Sequence, residues 1–149
     1  MKQTILLLCI VTAAFTAHAQ DEKKLVEAAV MDYVDAFYFG DSTKILRSIS
    51  PDVIKHGYHR KRDETTYRLD TMSFREMLDY VEGVRKRNNP NADKLAKKVE
   101  VFDQLDKTAS AKVTAWWGTD YILLAKTNDK WMITHVLWQS PPPATSAAK

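Results

Sequence analysis

The sequence predicts an α+β domain, with a curved antiparallel sheet built by the C-terminal third of the chain and helices before it. Three observations lead there. Residues Lys97 to Gln139 are dominated by valine, isoleucine, threonine, tryptophan and tyrosine, which fit a pleated, half-buried surface. Turn signals at Asp106-Lys107-Thr108, at Gly118 and at Asn128-Asp129 cut that stretch into four runs, the pattern of an antiparallel meander. The segments upstream read as helices and short strands, which need a sheet to pack against.

The first 19 residues stand apart from the fold. Lys2 supplies a short positive start, Ile5 to Phe15 is an apolar run, and Ala17-His18-Ala19 is a small-residue cleavage pattern. The run is too short to span a bilayer comfortably. Residues 1–19 are therefore predicted to be a signal peptide cleaved near Ala19, giving a periplasmic or secreted protein with no stable membrane insertion. Cys9 follows Leu8 inside the apolar run, which excludes a lipoprotein anchor at the cleavage point. It is the only cysteine of the 149 residues, so the mature domain is expected to stand on its core without disulfides. Residues 20–140 are enough for one such core. The formal charge of +3 loses only that of Lys2 on cleavage, leaving 3 − 1 = +2. So small a charge gives nucleic-acid binding little support. The basic triplets Arg60-Lys61-Arg62 and Arg85-Lys86-Arg87 read as solvated faces or helix ends.

Within 20–140, Asp21 to Phe39 reads as the first helix, with an inward stripe of Leu25, Ala29, Tyr33, Ala36 and Phe37. Gly40 stops it. Asp41 or Ser42 caps a short second helix, Thr43 to Ile49, which Pro51 ends. Val53 to Tyr58 and Thr65 to Leu69 read as short strands around a charged loop. Ser73 and Glu76 form a capping box for a third helix, Phe74 to Arg87. Its apolar face is Phe74, Met77, Leu78, Val81 and Val84, and its basic end suits the helix dipole. Asn91 to Lys97 reads as a connector, or as one more helical turn, before the four-strand meander. The prolines Pro141 to Pro143 and the small polar tail predict disorder over 141–149.

This order of elements resembles the nuclear transport factor 2-like superfamily over nearly the whole mature chain. The residues that carry the likeness are Tyr33 and Gly40-Asp41 on the first helix, Pro51-Asp52, the run Ala115 to Lys126, and Lys130 to Ile133 with Val136-Leu137-Trp138. The nearest likeness is to the small exported proteins described as putative lumazine-binding, in the polyketide-cyclase-like branch. The resemblance implies a cone-shaped sheet wrapped around the N-terminal helices, a cavity inside the cone and pairing of two copies through the outer sheet face.

Strand alternation divides the meander into two faces. With Lys112 and Lys126 taken as marking the outside, the inner set is Val113, Trp117, Tyr121, Leu123, Trp131, Ile133 and His135. A ligand site is then expected from Tyr33, Phe37, Tyr58, Trp117, Tyr121, Trp131 and His135, suited to an unidentified small apolar or aromatic molecule. The outer set, Trp116, Ile122, Leu124, Met132, Val136 and Trp138, is the expected homodimer interface, because so large an apolar face is rarely left in water.

Catalysis has thinner support. In ketosteroid isomerase, a member of the superfamily, the base position corresponds to Gly57, and the expected inner face holds no second carboxyl group. His135 or His56 as base with Tyr33 or Tyr121 as donor is the remaining acid–base pair for a cyclase, isomerase or dehydratase. No phosphate loop, nucleophile elbow, Cys-x-x-Cys pair or dinucleotide fingerprint occurs, so no cofactor and no metal are expected. The first expectation is a non-catalytic small-molecule binding protein. The alternatives are that enzyme and a structural dimeric module.

Overall fold

The structure is a computed structural model. It describes residues 2–143, with side chains from residue 20 onward. The side chains of the expected leader and residues 144–149 of the expected disordered tail lie outside the described residues.

Helix α1 (Lys2–Phe39) is followed by α2 (Ser42–Ser48), β1 (Ile49–His59), β2 (Arg68–Thr71), α3 (Phe74–Arg87), and strands β3 (Lys98–Gln104), β4 (Thr108–Ala115), β5 (Gly118–Thr127) and β6 (Lys130–Gln139). The expected punctuation is in place. Gly40 ends α1 at φ 75°, and a side chain there would meet the backbone of Arg85. Asp41 accepts a hydrogen bond from the Thr43 amide at the start of α2. Ser73 and Glu76 form the capping box of α3. Asn128 and Asp129, both at positive φ, make the two-residue turn between β5 and β6. Two strands differ from expectation: β1 begins at Ile49, and β2 lies at Arg68–Thr71. The connector holds a short helical turn, the 3₁₀ turn Ala92–Lys94.

The six strands form one sheet in the order β2-β1-β6-β5-β4-β3. It is mixed, because β1 runs parallel to β6 while the other neighbours are antiparallel. Helix α1 lies in the concavity, and its buried side is Val26, Val30, Tyr33, Val34, Ala36 and Phe37. Leu25, expected in that stripe, is exposed. Met77 and Val81 bury α3 against the same core.

The two faces of the sheet are not those expected. Ile122 and Leu124 on β5 and Val136 on β6 are buried under the helices, while Tyr121, Leu123 and Leu137 are exposed on the convex side with His135. Two physical causes account for this. Lys126 does not mark the outside: its side chain is largely covered and its ammonium reaches Glu22 of α1 at 2.8 Å. Lys112 pairs across the ladder with exposed Tyr121, whereas Val113 pairs with buried Asp120. The two lysines therefore sit on opposite faces. In addition, Leu123 pairs with His135 and Leu124 with Ile133, so Thr134 is an extra residue, a β-bulge that reverses the alternation midway along β6. Trp131 and Ile133 point inward before it, and Val136 and Trp138 after it.

Charged groups fasten the helices. Lys44 of α2 pairs with Asp32 and Asp35 of α1, each at 3.0 Å, and Lys97 also reaches Asp35. The Arg47 hydrogen bond holds Asp32 below the usual carboxylate range. Asp35 is lowered too: its partial burial acts the other way, but the bonds from Lys97 and Lys44 outweigh it.

Candidate functional site

The open end of the concavity holds a cavity of about 260 Å³. Its walls are aromatic: Phe37 from α1, Tyr80 from α3, Trp116 and Trp117 from the β4–β5 turn, and Trp138 from β6. Its polar lining is Lys55 and His59 of β1 and Asp70 of β2. Alternation along β1 explains the placement of the lysine. Val53, Lys55 and Gly57 are buried while Ile54, His56 and Tyr58 are exposed. Gly57 is small because the Trp138 indole crosses it, and a Cβ there would lie 2.0 Å from the indole nitrogen.

Lys55 belongs to a buried polar chain. Its ammonium donates to the Tyr33 hydroxyl at 2.5 Å, and that hydroxyl donates to Oδ2 of Asp120 at 2.6 Å. The Trp117 indole N–H donates to the other oxygen of Asp120 at 3.0 Å. Tyr33 and Asp120 are fully buried and Lys55 is 7% exposed. Burial lowers the Lys55 pKa from the usual lysine value, against the opposing fields of Asp120 and Asp70. Burial also raises Tyr33 well above the ordinary phenol, and the charge of Asp120 and the bond to it add to that. Tyr33 therefore stays protonated and keeps donating. The Lys55 nitrogen also lies 4.9 Å from the Phe37 ring centre and 6.0 Å from that of Trp138, within cation–π range. An ammonium has three donors. One is spent on Tyr33, and the others are available to a group entering the cavity.

Residues 21–139 match the family described as Putative lumazine-binding. The chain belongs to that family. No curated protein matches it. Among solved structures it is similar to a nuclear transport factor 2-like protein of unknown function from Silicibacter pomeroyi, with TM-score 0.67, 16% identity, and 83% of this chain and 98% of that one covered. A second nuclear transport factor 2-like protein of unknown function, from Methylobacillus flagellatus, gives TM-score 0.62 and 19% identity over 81% of this chain and 93% of that one. A third, from Shewanella baltica, gives 0.60 and 16% over 82% and 95%. At such identities the likeness shows the fold: this member of the family has the nuclear transport factor 2-like α+β cone.

Within that cone the residues expected to form the ligand site divide. Phe37 and Trp117 line the cavity, with Tyr33 bonded to Lys55 behind them. Tyr58, Tyr121 and His135 lie on the convex face, Tyr58 because it alternates with buried Gly57, and Tyr121 and His135 for the reasons given above. Trp131 is buried away from the cavity, where its indole donates to Glu22 at 2.9 Å. Of the expected dimer residues, Ile122, Leu124 and Val136 are core, Trp116 and Trp138 line the cavity, and Met132 alone alternates outward between buried Trp131 and Ile133. The acid–base pair is not assembled with Tyr33, because both histidines face away from it; the other donor considered, Tyr121, does line one depression with His56 and His135, on the convex face and outside the aromatic cavity. His59 is the histidine that lines the cavity. The expectation of no inner carboxyl group is also corrected, since Asp120 is that group. Sequence reasoning does not single out Lys55 or Asp120, because a charged residue in a strand most often faces solvent. The signal was there in the parity: Lys55 is two residues from Val53 and from Gly57, and Asp120 is two from Ile122.

Proposed function

We propose that this protein binds a small, flat, conjugated molecule in the aromatic cavity, and that the ligand presents a carbonyl or similar acceptor to Lys55. The observation that carries the reading is Lys55 itself, a buried ammonium with unspent donors at the floor of an aromatic cavity. Buried polar groups normally find partners, and a hydrogen bond to a charged donor adds both affinity and orientation. Phe37, Tyr80, Trp117 and Trp138 supply the apolar faces against which a flat ring packs. The family description supports one probe: lumazine is a flat bicyclic ring bearing two carbonyl groups. Titration of lumazine into the protein, followed by tryptophan fluorescence, tests the reading. Saturable quenching that is weakened by Lys55→Met is expected.

We also infer a homodimer formed through the convex face. There Ile54, Phe102, Tyr121, Leu123 and Leu137, each about half exposed, line a shallow depression of about 370 Å³ together with His56 and His135. Contiguous apolar surface of this kind favours a self-complementary contact. Export is inferred from the pattern of residues 1–19, and the protein isolated from its native host should begin near Gln20. An intact Met1 in that material would contradict export. Among the described residues, no helix is long and apolar enough to cross a membrane.

A further inference from the structure

We propose that Lys55 forms a covalent imine with an aldehyde or ketone ligand, so that the cavity captures conjugated carbonyl compounds by condensation as well as by packing. The inference rests on the cavity being the ligand site and goes one step further, to the chemical class of ligand and the bond it makes.

Three features of the geometry point to it. The first is position: Lys55 is 7% exposed and lines the cavity, so a molecule held in the cavity lies against this side chain. The second is surroundings. Burial takes the amine out of water and lowers its pKa, outweighing the fields of Asp120 and Asp70, so the neutral form is more accessible to Lys55 than to a lysine in water, even with the Phe37 and Trp138 rings beside it. A neutral lysine in an apolar pocket is the nucleophile that carbonyl chemistry requires. The third is a route for protons. Tyr33 accepts from Lys55 at 2.5 Å and donates to Asp120 at 2.6 Å.

The step balances. The neutral amine lone pair attacks the carbonyl carbon as the C=O π bond breaks onto oxygen. One of the two nitrogen protons passes to the Tyr33 oxygen as the Tyr33 proton passes to Asp120, and a proton returned along the same chain makes the oxygen the hydroxyl of a carbinolamine. The second nitrogen proton then takes the same route to that hydroxyl, which leaves as water as the nitrogen lone pair forms the C=N bond. One carbonyl and one amine give one imine and one water, with no oxidant or reductant. Asp120 is regenerated.

The test treats the full chain with 2-naphthaldehyde and sodium cyanoborohydride near neutral pH. The hydride reduces the imine carbon and fixes the adduct as a secondary amine. Intact mass should rise once, by the mass of the aldehyde less one oxygen, and peptide mapping should place the label on Lys55. Labelling there should be at least about 10-fold faster than at any exposed lysine, which stays protonated at that pH. Excess lumazine should protect Lys55, and Lys55→Arg should abolish the fast label. Tyr33→Phe should slow it by about 100-fold, the scale of a lost proton-transfer group, and should shift its pH–rate profile. A label spread over exposed lysines with Lys55 unmodified in the wild-type protein overturns the proposal, whether or not the variants fold. Lumazine binding that depends on Lys55 without a Lys55 adduct overturns the imine alone. Loss of both overturns the cavity as the ligand site as well.

Discussion

Lys55 is the residue on which both the stability and the chemistry of the cavity turn. Taking its charge out of water costs free energy, and the Tyr33–Asp120 chain and the nearby rings offset only part of it. The sign of the pH dependence follows. Its folded pKa lies below the ordinary lysine value of 10.5. Between the two values the unfolded chain holds a proton that the folded chain has released. Stability therefore rises with pH through that window, and the penalty is complete below it. Lys55→Met removes this term and keeps Tyr33. Denaturant melts at several pH values up to about 10, the ordinary phenol value, should show wild-type stability gaining on the variant as pH rises. A constant difference would mean that Lys55 keeps its charge throughout. Neither Lys55 nor Asp120 was recognised in the sequence as a site residue. A lone charge in a strand is most often solvated, and only the parity of Val53, Lys55 and Gly57 distinguishes this one. Tyr33 and Phe37 were legible because a helix stripe does not depend on which way the strands face, and Trp117 because alternation from Val113 points it inward, as observed.

At the scale of elements, what governs the site is how β1 and β6 meet. Their parallel contact could not be read from local pattern, because parallel pairing joins segments about 80 residues apart through no turn. It brings Gly57 opposite Trp138, and the indole lies where a glycine side chain would be. Gly57→Ala should force the indole off its position and cost about 1–3 kcal/mol, the usual penalty of overpacking. It should also disturb the cavity wall. Thermal melts, together with the Trp138 contribution to fluorescence, check both effects, and an alanine tolerated without loss would mean that the strands sit further apart. The hairpins were more legible. Asn128-Asp129 and Gly118 are turn residues for stated steric reasons, and the meander follows from them. The bulge at Thr134 left no such mark. One extra residue in Lys130–Gln139 changes no composition, yet it turns His135 out and Trp138 in.

At the scale of the molecule, the cone separates two apolar surfaces. The concave one packs the helices and closes the cavity, and the convex one is the surface through which two copies are inferred to pair. The superfamily was legible from element order, because helix, short helix, strand pair, helix and meander survive errors of one or two residues. The assignment of faces was not legible, since both faces of β5 are apolar: Ile122 and Leu124 on one, Tyr121 and Leu123 on the other. Two substitutions at adjacent positions separate their roles. Leu123→Glu should leave the fold intact and split the dimer in sedimentation at micromolar concentration. Leu124→Glu should bury an unpaired charge in the core and unfold the chain. A wild-type monomer would end the dimer inference. The cavity is tested most directly by titrating lumazine into wild-type protein and Lys55→Met and reading the quenching of Trp117 and Trp138. Saturable one-to-one binding, weakened about 10-fold or more without the ammonium, is the predicted result. Absence of binding to the wild-type protein, or equal affinity in the folded variant, would contradict Lys55 as the ligand-binding group.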